Sequence, residues 1–194
     1  MIPRPASTVV LVKQTRDELQ TLLLLRNSAL VFEGGAWVFP GGKVDRGDYP
    51  AGMDPDVALV QQDPAILMQA AINAGIRETR EESGLQIDPQ QLIHIAHWTT
   101  PAGMSRRYAT WFFLCPLEQC PPVVVDDEEI LDHQWISPAT ALAAHGEGRI
   151  RLPVPTAHTL KRLLPFTSLQ SLCADMRSSA IHVFPENSEY CSIR

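Results

Sequence analysis

The sequence lacks the features that mark exported, membrane-bound and nucleic-acid-binding proteins. The apolar stretch near its start, residues 9–12, is far too short for a signal peptide or a membrane span. Basic residues are fewer than acidic ones: the chain has 16 lysines and arginines and 22 aspartates and glutamates, which gives a formal net charge of −6. General nucleic-acid and membrane-surface binders usually carry an excess of basic residues. We therefore expect a cytoplasmic protein that binds neither nucleic acid nor membrane, but whose charge is compatible with a local basic pocket for a phosphorylated small molecule.

Cysteine is scarce and shows no metal-binding pattern. The four cysteines, Cys115, Cys120, Cys173 and Cys191, contain no CxxC pair and no zinc-type spacing, so we expect reduced thiols. The six histidines form no HxxxH or similar cluster, and His94 is expected to be a core residue. Without repeats or low-complexity segments, 194 residues suit one domain and a small extension.

The order of the predicted elements favours a mixed sheet with helices on its faces. Strands are expected at residues 8–13, 19–26, 37–39, 92–99, 108–117 and 130–136. Helices are expected at residues 64–84, 139–145 and 155–164. The long helix should follow Asp63, an N-cap residue, and end at Gly84. The segment from Asp45 to Pro64 is rich in Asp, Pro and Gly and predicts an irregular loop. Strands and helices do not alternate regularly, so the fold class is α/β (α+β) without repeated βαβ units.

Three glutamates on one side of the long helix are the most informative feature of the chain. Glu78, Glu81 and Glu82 stand at relative positions 0, +3 and +4, so they share one face. Such like charges repel, and a helix that keeps them together usually offsets the cost with a cation. Oxygen ligands of this kind suit Mg²⁺ or Mn²⁺. The alternative is a solvated acidic face with Arg77 and Arg80 as surface partners.

Small residues accompany these glutamates. Ala74 and Gly75 lie on the same helical stripe as Glu78 and Glu82, which would let this face approach another backbone segment. The expected partner is the Gly41-Gly42 loop, because paired glycines let the backbone come close to a ligand. A plain tight turn is the alternative for that loop. Together, the glutamates and the glycines predict metal-assisted chemistry on a phosphate.

The motif around the glutamates resembles the signature of a known family. Residues 77–85, Arg-Glu-x-x-Glu-Glu-x-Gly-Leu, are similar to the second half of the Nudix box, G-x5-E-x7-R-E-U-x-E-E-x-G-U, where U is a bulky apolar residue. Gly42 and Asp48 stand where the first half has its glycine and glutamate, and aspartate is one methylene shorter. An insertion of about twenty residues, placed at residues 49–69, separates the two halves.

The insertion resembles one branch of the Nudix hydrolases, the coenzyme A diphosphatases related to the peroxisomal enzyme. Further stretches similar to that branch are residues 37–42, 98–101, 106–107, 110–113, 135–138 and 148–153. We therefore expect a Nudix domain over residues 5–165 and a C-terminal extension of unknown role over residues 166–194. The final Ser192-Ile193-Arg194 does not match the Ser-Lys-Leu peroxisomal address.

The resemblance implies a Nudix fold, an α/β/α sandwich around a mixed β-sheet, and a metal-dependent pyrophosphohydrolase. Its substrate would be a nucleoside diphosphate linked to another moiety, with coenzyme A or acyl-CoA as the first expectation. ADP-ribose, NADH or another nucleotide is the alternative, and a nucleotide-binding domain without turnover is a third reading. Glu78, Glu81 and Glu82 would hold Mg²⁺, or Mn²⁺ as a substitute, and Glu78 is a candidate base. Arg77 would orient a glutamate through a bidentate ion pair.

Five further residues are candidates for substrate binding. The backbone of Gly41 and Gly42 would supply a ligand carbonyl or a close approach to phosphate. Arg26 ends a strand near this loop and would meet a phosphate. Arg106 and Arg107 begin a strand and would meet a ribose phosphate or the diphosphate. For the three arginines, surface ion pairing or a solvated basic turn is the alternative reading.

Several features of the sequence have more than one interpretation. Trp37, Trp98 and Trp111 either stack on an adenine or pack in the core. The acidic segment at residues 126–129 is either a solvated loop or a loop that approaches the site. The insertion at residues 49–69 would be a lid, a dimer contact or a passive loop. The expected partner is a small-molecule nucleotide substrate. The sequence leaves open whether the protein forms a homodimer.

Overall fold

Residues 2–30, 33–119 and 121–188 are described by the computed structural model. The strands in these ranges are β1 Arg4–Gln14, β2 Leu19–Arg26, β3 Trp37–Val38, β4 Gly41–Lys43, β5 Ile93–Thr99, β6 Tyr108–Leu117, β7 Ile130–Ile136 and β8 His182–Phe184. The helices are α1 Pro55–Gln61, α2 Pro64–Ser83, α3 Pro138–Gly146, α4 Val154–Leu163 and α5 Leu169–Ser178.

One mixed sheet organises these elements. Its strand order is β3-β2-β1-β6-β5-β8, with β4 paired to β1 and β7 paired to β2. β1 runs parallel to β6 along most of its length, and β5 is antiparallel to β6. The combination of parallel and antiparallel pairs, with helices on the faces, confirms the predicted α/β sandwich around a mixed sheet.

Apolar side chains cover both faces of the sheet. Val10 and Val12 of β1 belong to one cluster, which α3, α4 and α5 complete. Val9 and Leu11, which alternate with them, belong to a second cluster with Ile76 of α2. Because both faces are buried, the strand reads as a nearly continuous apolar run in the sequence. β1 therefore forms the centre of the sheet, with α2 on one side.

α2 begins and ends at the residues that the sequence predicts. The side chain of Asp63 accepts the backbone N–H groups of Ala65 and Ile66 at 3.0 and 3.3 Å. Gly84 ends the helix in the left-handed conformation with φ of 70°, which glycine adopts without steric cost. These two caps set the position of the last turn, which carries the glutamates.

α2 packs directly on β1 at a glycine. A Cβ atom at Gly75 would lie 2.7 Å from Ser7 Oγ and 2.9 Å from Val9 Cγ2. Ala74 beside it is fully buried. The small-residue stripe therefore has β1 as a partner in addition to the Gly41-Gly42 loop that the sequence analysis expected.

The insertion contains a helix where the sequence analysis predicted an irregular loop. That prediction is wrong over α1, whose N-cap Asp54 accepts two backbone N–H groups. Pro55, which suggested a loop, occupies the first helical position, where the missing N–H costs nothing. Ala58 of α1 packs with Tyr49 and Ala70 in a small separate cluster. The insertion is thus anchored beside α2.

The C-terminal segment also has structure that the sequence did not indicate. Leu172 and Met176 of α5 are buried in the first apolar cluster. β8 pairs parallel with β5, and Phe184 stacks on Trp98 with ring centroids 3.7 Å apart. The predicted extension at residues 166–194 therefore contributes to the same sheet and core as far as residue 188.

The two cysteines in the described ranges, Cys115 and Cys173, are buried free thiols, as expected. Cys120 and Cys191 lie outside the described residues. His94 is partly buried in β5, with Nε2 at 3.1 Å from the carbonyl oxygen of Ala96. No helix in the described part of the chain is long and apolar enough to cross a membrane.

Replacing Gly75 by alanine should destabilise the protein. The added methyl group would press against Ser7 and Val9, so α2 would have to move away from β1. Overpacking of this kind typically costs about 1–3 kcal/mol, which should outweigh the helix propensity that alanine gains. Urea unfolding should show a lower free energy of unfolding.

Gly146→Ala, at the end of α3, is the matched control. Nothing lies within 4 Å of a Cβ atom built at Gly146. This variant should be neutral or slightly more stable because alanine favours the helix. Equal stability changes in the two variants would contradict a tight contact between α2 and β1.

Candidate active site

Arg77 is the centre of a carboxylate network. Its guanidinium forms a bidentate pair with Asp48, with Nε at 3.0 Å from Oδ1 and Nη2 at 2.8 Å from Oδ2. Its Nη1 donates at 2.9 Å to Glu78 Oε1 and to Glu81 Oε2. Nη2 also donates to the carbonyl of Lys43 at 3.1 Å. The bidentate partner is thus an aspartate, whereas the sequence analysis expected a glutamate.

Asp48 joins the glycine loop to α2. Its carboxylate is 6% exposed and accepts the backbone N–H of Asp45 at 2.8 Å. Its backbone carbonyl accepts a hydrogen bond from Asn73 Nδ2 at 2.8 Å. The hydrogen bond to Asp48 is also the main cause of the raised pKa of Arg77. The shorter side chain therefore still reaches the arginine and holds the two halves of the motif together.

Glu82 is buried beneath the glycine loop. Only 3% of the residue is exposed, and its Oε2 accepts the backbone N–H of Gly41 at 2.9 Å. Its Oε1 lies 3.5 Å from Arg26 Nη1. Burial raises the pKa of Glu82 to about 8, against the lowering effects of the Gly41 hydrogen bond and of Arg26. A carboxylate with so little compensation favours the binding of a cation.

Glu78 fills the space that the missing side chain of Gly42 leaves. A Cβ atom at Gly42 would collide with the Glu78 carboxylate, and one at Gly41 would collide with the carbonyl of Ser7. Burial raises the pKa of Glu78, while Arg77 lowers it. The paired glycines form β4 and allow it to pack closely on β1 and on the glutamates, so they are more than a plain tight turn.

The donor atoms of the three glutamates fit a hard divalent cation. Glu82 is buried and Glu78 is partly buried, and each has a pKa raised mainly by burial, which a bound cation would offset. Glu81 is about half exposed and turns towards Arg77. Within the ranges that the structure describes, no group of three or more His, Cys, Asp or Glu residues is already arranged around one metal position. The chemistry of the donors is therefore suitable, and the Arg77 hydrogen bonds fix the carboxylates of Glu78 and Glu81.

Arg26 ends β2 beside the buried glutamate, near the glycine loop as the sequence predicted. Its Nη2 lies 3.8 Å from Glu129 Oε2. Its Nε is buried and has no hydrogen-bond partner among the described residues. A guanidinium has five N–H donors, so Arg26 can still bind an anionic group.

Arg106 and Arg107 lie at the turn between β5 and β6. Arg107 forms an ion pair with Glu186 and donates to the carbonyl of Thr100 at 3.4 Å. Its own carbonyl accepts the backbone N–H of Arg4 at the start of β1. Arg106 is exposed in the turn. The structure thus ties Arg107 to the C-terminal segment, and a role for the two arginines in substrate binding stays a prediction.

The tryptophans divide between core and surface. Trp98 is buried and stacks on Phe184, which agrees with core packing. Trp111 makes an edge contact with His97 at a centroid distance of 4.5 Å. Trp37 is partly buried and lines a cavity of about 490 Å³. Trp37 therefore has open space beside it for a ligand.

One member of the acidic segment at residues 126–129 lies close to the site. The sequence alone is compatible with either a solvated loop or a loop that approaches the site. The carboxylate of Glu129 reaches Arg26, which in turn contacts Glu82. No local pattern in the sequence could have found this contact, because it depends on the pairing of β2 with β7.

The chain is similar in sequence to known Nudix proteins. The family model of the NUDT19 Nudix domain matches residues 85–163. The human acyl-coenzyme A diphosphatase NUDT19 is 42% identical over 77 residues, which are 39% of this chain and 20% of the human protein. The chicken protein of the same name is 33% identical over 150 residues, 69% of this chain and 37% of that protein. The chain thus spans well under two thirds of the length of these relatives.

Solved structures share the fold. A NUDIX hydrolase from Alicyclobacillus acidocaldarius has a TM-score of 0.74 at 19% identity and covers 94% of this chain and 98% of its own. The NUDIX domain of Shewanella oneidensis NrtR, solved with ADP ribose, has a TM-score of 0.58 at 15% identity, covering 85% and 88%. The sequence motif, the family model and the relatives support a Nudix hydrolase that resembles the coenzyme A diphosphatase branch, and the chain has the fold of solved Nudix structures.

Proposed function

We propose that this chain is a metal-dependent pyrophosphohydrolase that cleaves the diphosphate of a nucleoside diphosphate linked to another moiety. The observation that carries this proposal is the packing of two carboxylates, the buried Glu82 and the partly buried Glu78, against the Gly41-Gly42 strand. Burying two carboxylates side by side is unfavourable unless a cation neutralises them. The absence of side chains at the two glycines allows β4 to pack this closely on the carboxylates.

Each residue of the site has a role in this proposal. Glu78, Glu81 and Glu82 would hold Mg²⁺ or Mn²⁺, which when bound would neutralise diphosphate oxygens and lower the pKa of a bound water. Arg77 keeps Glu78 and Glu81 in place through its two hydrogen bonds. Arg26 would donate to the diphosphate with the N–H groups that it does not use in its ion pairs. Glu78, which packs against the glycine strand, is our first candidate for the base that accepts the proton of the attacking water.

Coenzyme A or acyl-CoA is the substrate class that we propose. The similarity to the human and chicken acyl-coenzyme A diphosphatases supports it, although the chain covers only part of those proteins. Attack of water on the diphosphate would release phosphopantetheine, with or without its acyl group, and adenosine 3′,5′-bisphosphate. ADP-ribose, NADH or another nucleotide would undergo the same chemistry. A nucleotide-binding domain without turnover is the alternative from a different class, and the complete set of glutamates argues against it.

Glu82→Gln and Glu81→Gln should each lower kcat by roughly two orders of magnitude or more, because each removes a charged ligand from the cation. Glu82→Gln should remain folded, since it removes a buried charge and keeps the shape of the side chain. Steady-state turnover with Mg²⁺ and thermal unfolding would measure the two effects. Glu18→Gln, in the exposed turn between β1 and β2, is the control and should leave kcat unchanged. Wild-type rates in both active-site variants would contradict the metal assignment.

Removal of divalent cations should abolish turnover. We expect the chelated and desalted protein to be inactive, and added Mg²⁺ or Mn²⁺ to restore the rate. The expectation follows from Glu78 and Glu82, whose negative charges would repel the diphosphate when no cation is present. Full activity in the chelated protein, measured by product chromatography, would rule out a metal-dependent mechanism.

The substrate class can be determined with a panel of coenzyme A, acetyl-CoA, ADP-ribose, NADH and a dinucleoside polyphosphate. We expect adenosine 3′,5′-bisphosphate to appear from coenzyme A or acetyl-CoA. AMP from ADP-ribose or NADH, with coenzyme A intact, would support the proposed reaction and contradict the proposed substrate class. If the protein hydrolyses none of these compounds although a separate measurement shows that it binds the metal, the nucleotide-binding alternative is favoured.

A further inference from the structure

Arg26 stands between two carboxylates and is fully paired with neither. Its Nη1 lies 3.5 Å from Glu82 Oε1, and its Nη2 lies 3.8 Å from Glu129 Oε2. Charge-assisted hydrogen bonds between such groups are commonly about 2.7–2.9 Å long. The Arg26 side chain is only 17% exposed. Its position is therefore a compromise between a buried and an exposed acid.

Hydrogen bonds fix the loop that carries Glu129. The side chain of Asp126 accepts three consecutive backbone N–H groups, those of residues 128–130, at 2.8 to 2.9 Å. Asn27, which follows Arg26, donates its backbone N–H to the Glu129 carbonyl at 2.8 Å. Its side-chain amide also donates to this loop at 2.8 Å. The loop and the end of β2 are thus fastened together, which fixes Glu129 relative to Arg26.

We propose that Glu129 is a positioning residue that acts through Arg26 to keep Glu82 available to a cation. Without the charge of Glu129, the guanidinium would move towards the buried Glu82 and form a closer pair. A closer pair would occupy the carboxylate and compete with the metal ion. With Glu129 present, Arg26 stays between the two acids and keeps donors for a phosphate. This inference rests on the cation site proposed above.

Binding of Mn²⁺ to the metal-free protein, followed by EPR, tests the proposal without any turnover. Glu129→Gln should raise the dissociation constant of Mn²⁺ by about 2- to 5-fold, in the range expected for one partly exposed charge pair. Glu129→Asp keeps the charge and should recover most of the affinity. Glu128→Gln is the matched control because it removes the same charge from the same exposed loop. Equal losses in Glu128→Gln and Glu129→Gln would overturn the proposal.

A second variant separates action through Arg26 from direct attraction of the metal. In the Arg26→Met background, Glu129→Gln should have no further effect on the dissociation constant of Mn²⁺. A loss of the same size in that background would show that Glu129 attracts the cation directly, and would overturn the proposal.

The metal-free protein gives an independent measurement. A double-mutant cycle of Arg26→Met and Glu82→Gln, followed by thermal unfolding, reports the coupling between these two residues. The coupling should increase when Glu129 is replaced by glutamine. An unchanged coupling would overturn the role of Glu129 even where Mn²⁺ binds normally. If wild-type protein fails to bind Mn²⁺ while the coupling still increases, the proposed cation site fails and the effect of Glu129 on Arg26 stands.

Discussion

The guanidinium of Arg77 is the interaction on which the rest of the site depends. It donates to both carboxylate oxygens of Asp48 in a bidentate pair and also donates to Glu78, Glu81 and the carbonyl of Lys43. A planar fork with five donors can serve all of these groups at once, whereas a lysine ammonium cannot match the bidentate geometry. One side chain therefore holds the glycine strand, the buried aspartate and two glutamates in fixed positions relative to one another.

That arrangement leaves Glu82 as the acid with the least compensation. Arg77 is committed to other carboxylates, so Glu82 has the N–H of Gly41 and a distant contact with Arg26. Burial then raises its pKa to about 8. Folding has to stabilise this unfavourable group through the packing of α2 on β1 and β4. Local instability of this kind is common where a protein is prepared for a ligand, and here it is offset by the core around it.

The sequence predicts the elements whose signals are local and misses those that depend on distant contacts. α2 is found because Asp63 and Gly84 mark its ends, and the glutamates because their spacing puts them on one face. α1 has a single buried residue, Ala58, and so shows no apolar period. β8 is three residues long and is held by the stacking of Phe184 on Trp98. The contact between Arg26 and Glu129 likewise depends on strand pairing, which no local motif encodes.

The insertion shows why a motif can be interrupted and still form one site. The segment between Asp48 and Arg77 is about four times as long as the family pattern has it. Loop-closure entropy grows only with the logarithm of length, so two doublings cost about 1.2 kcal/mol. The Asp48–Arg77 pair closes the loop, and the packing of Tyr49 against Ala58 orders part of what lies between. Spacing along the chain is therefore a weak constraint on this site, and the geometry of the bidentate pair is a strong one.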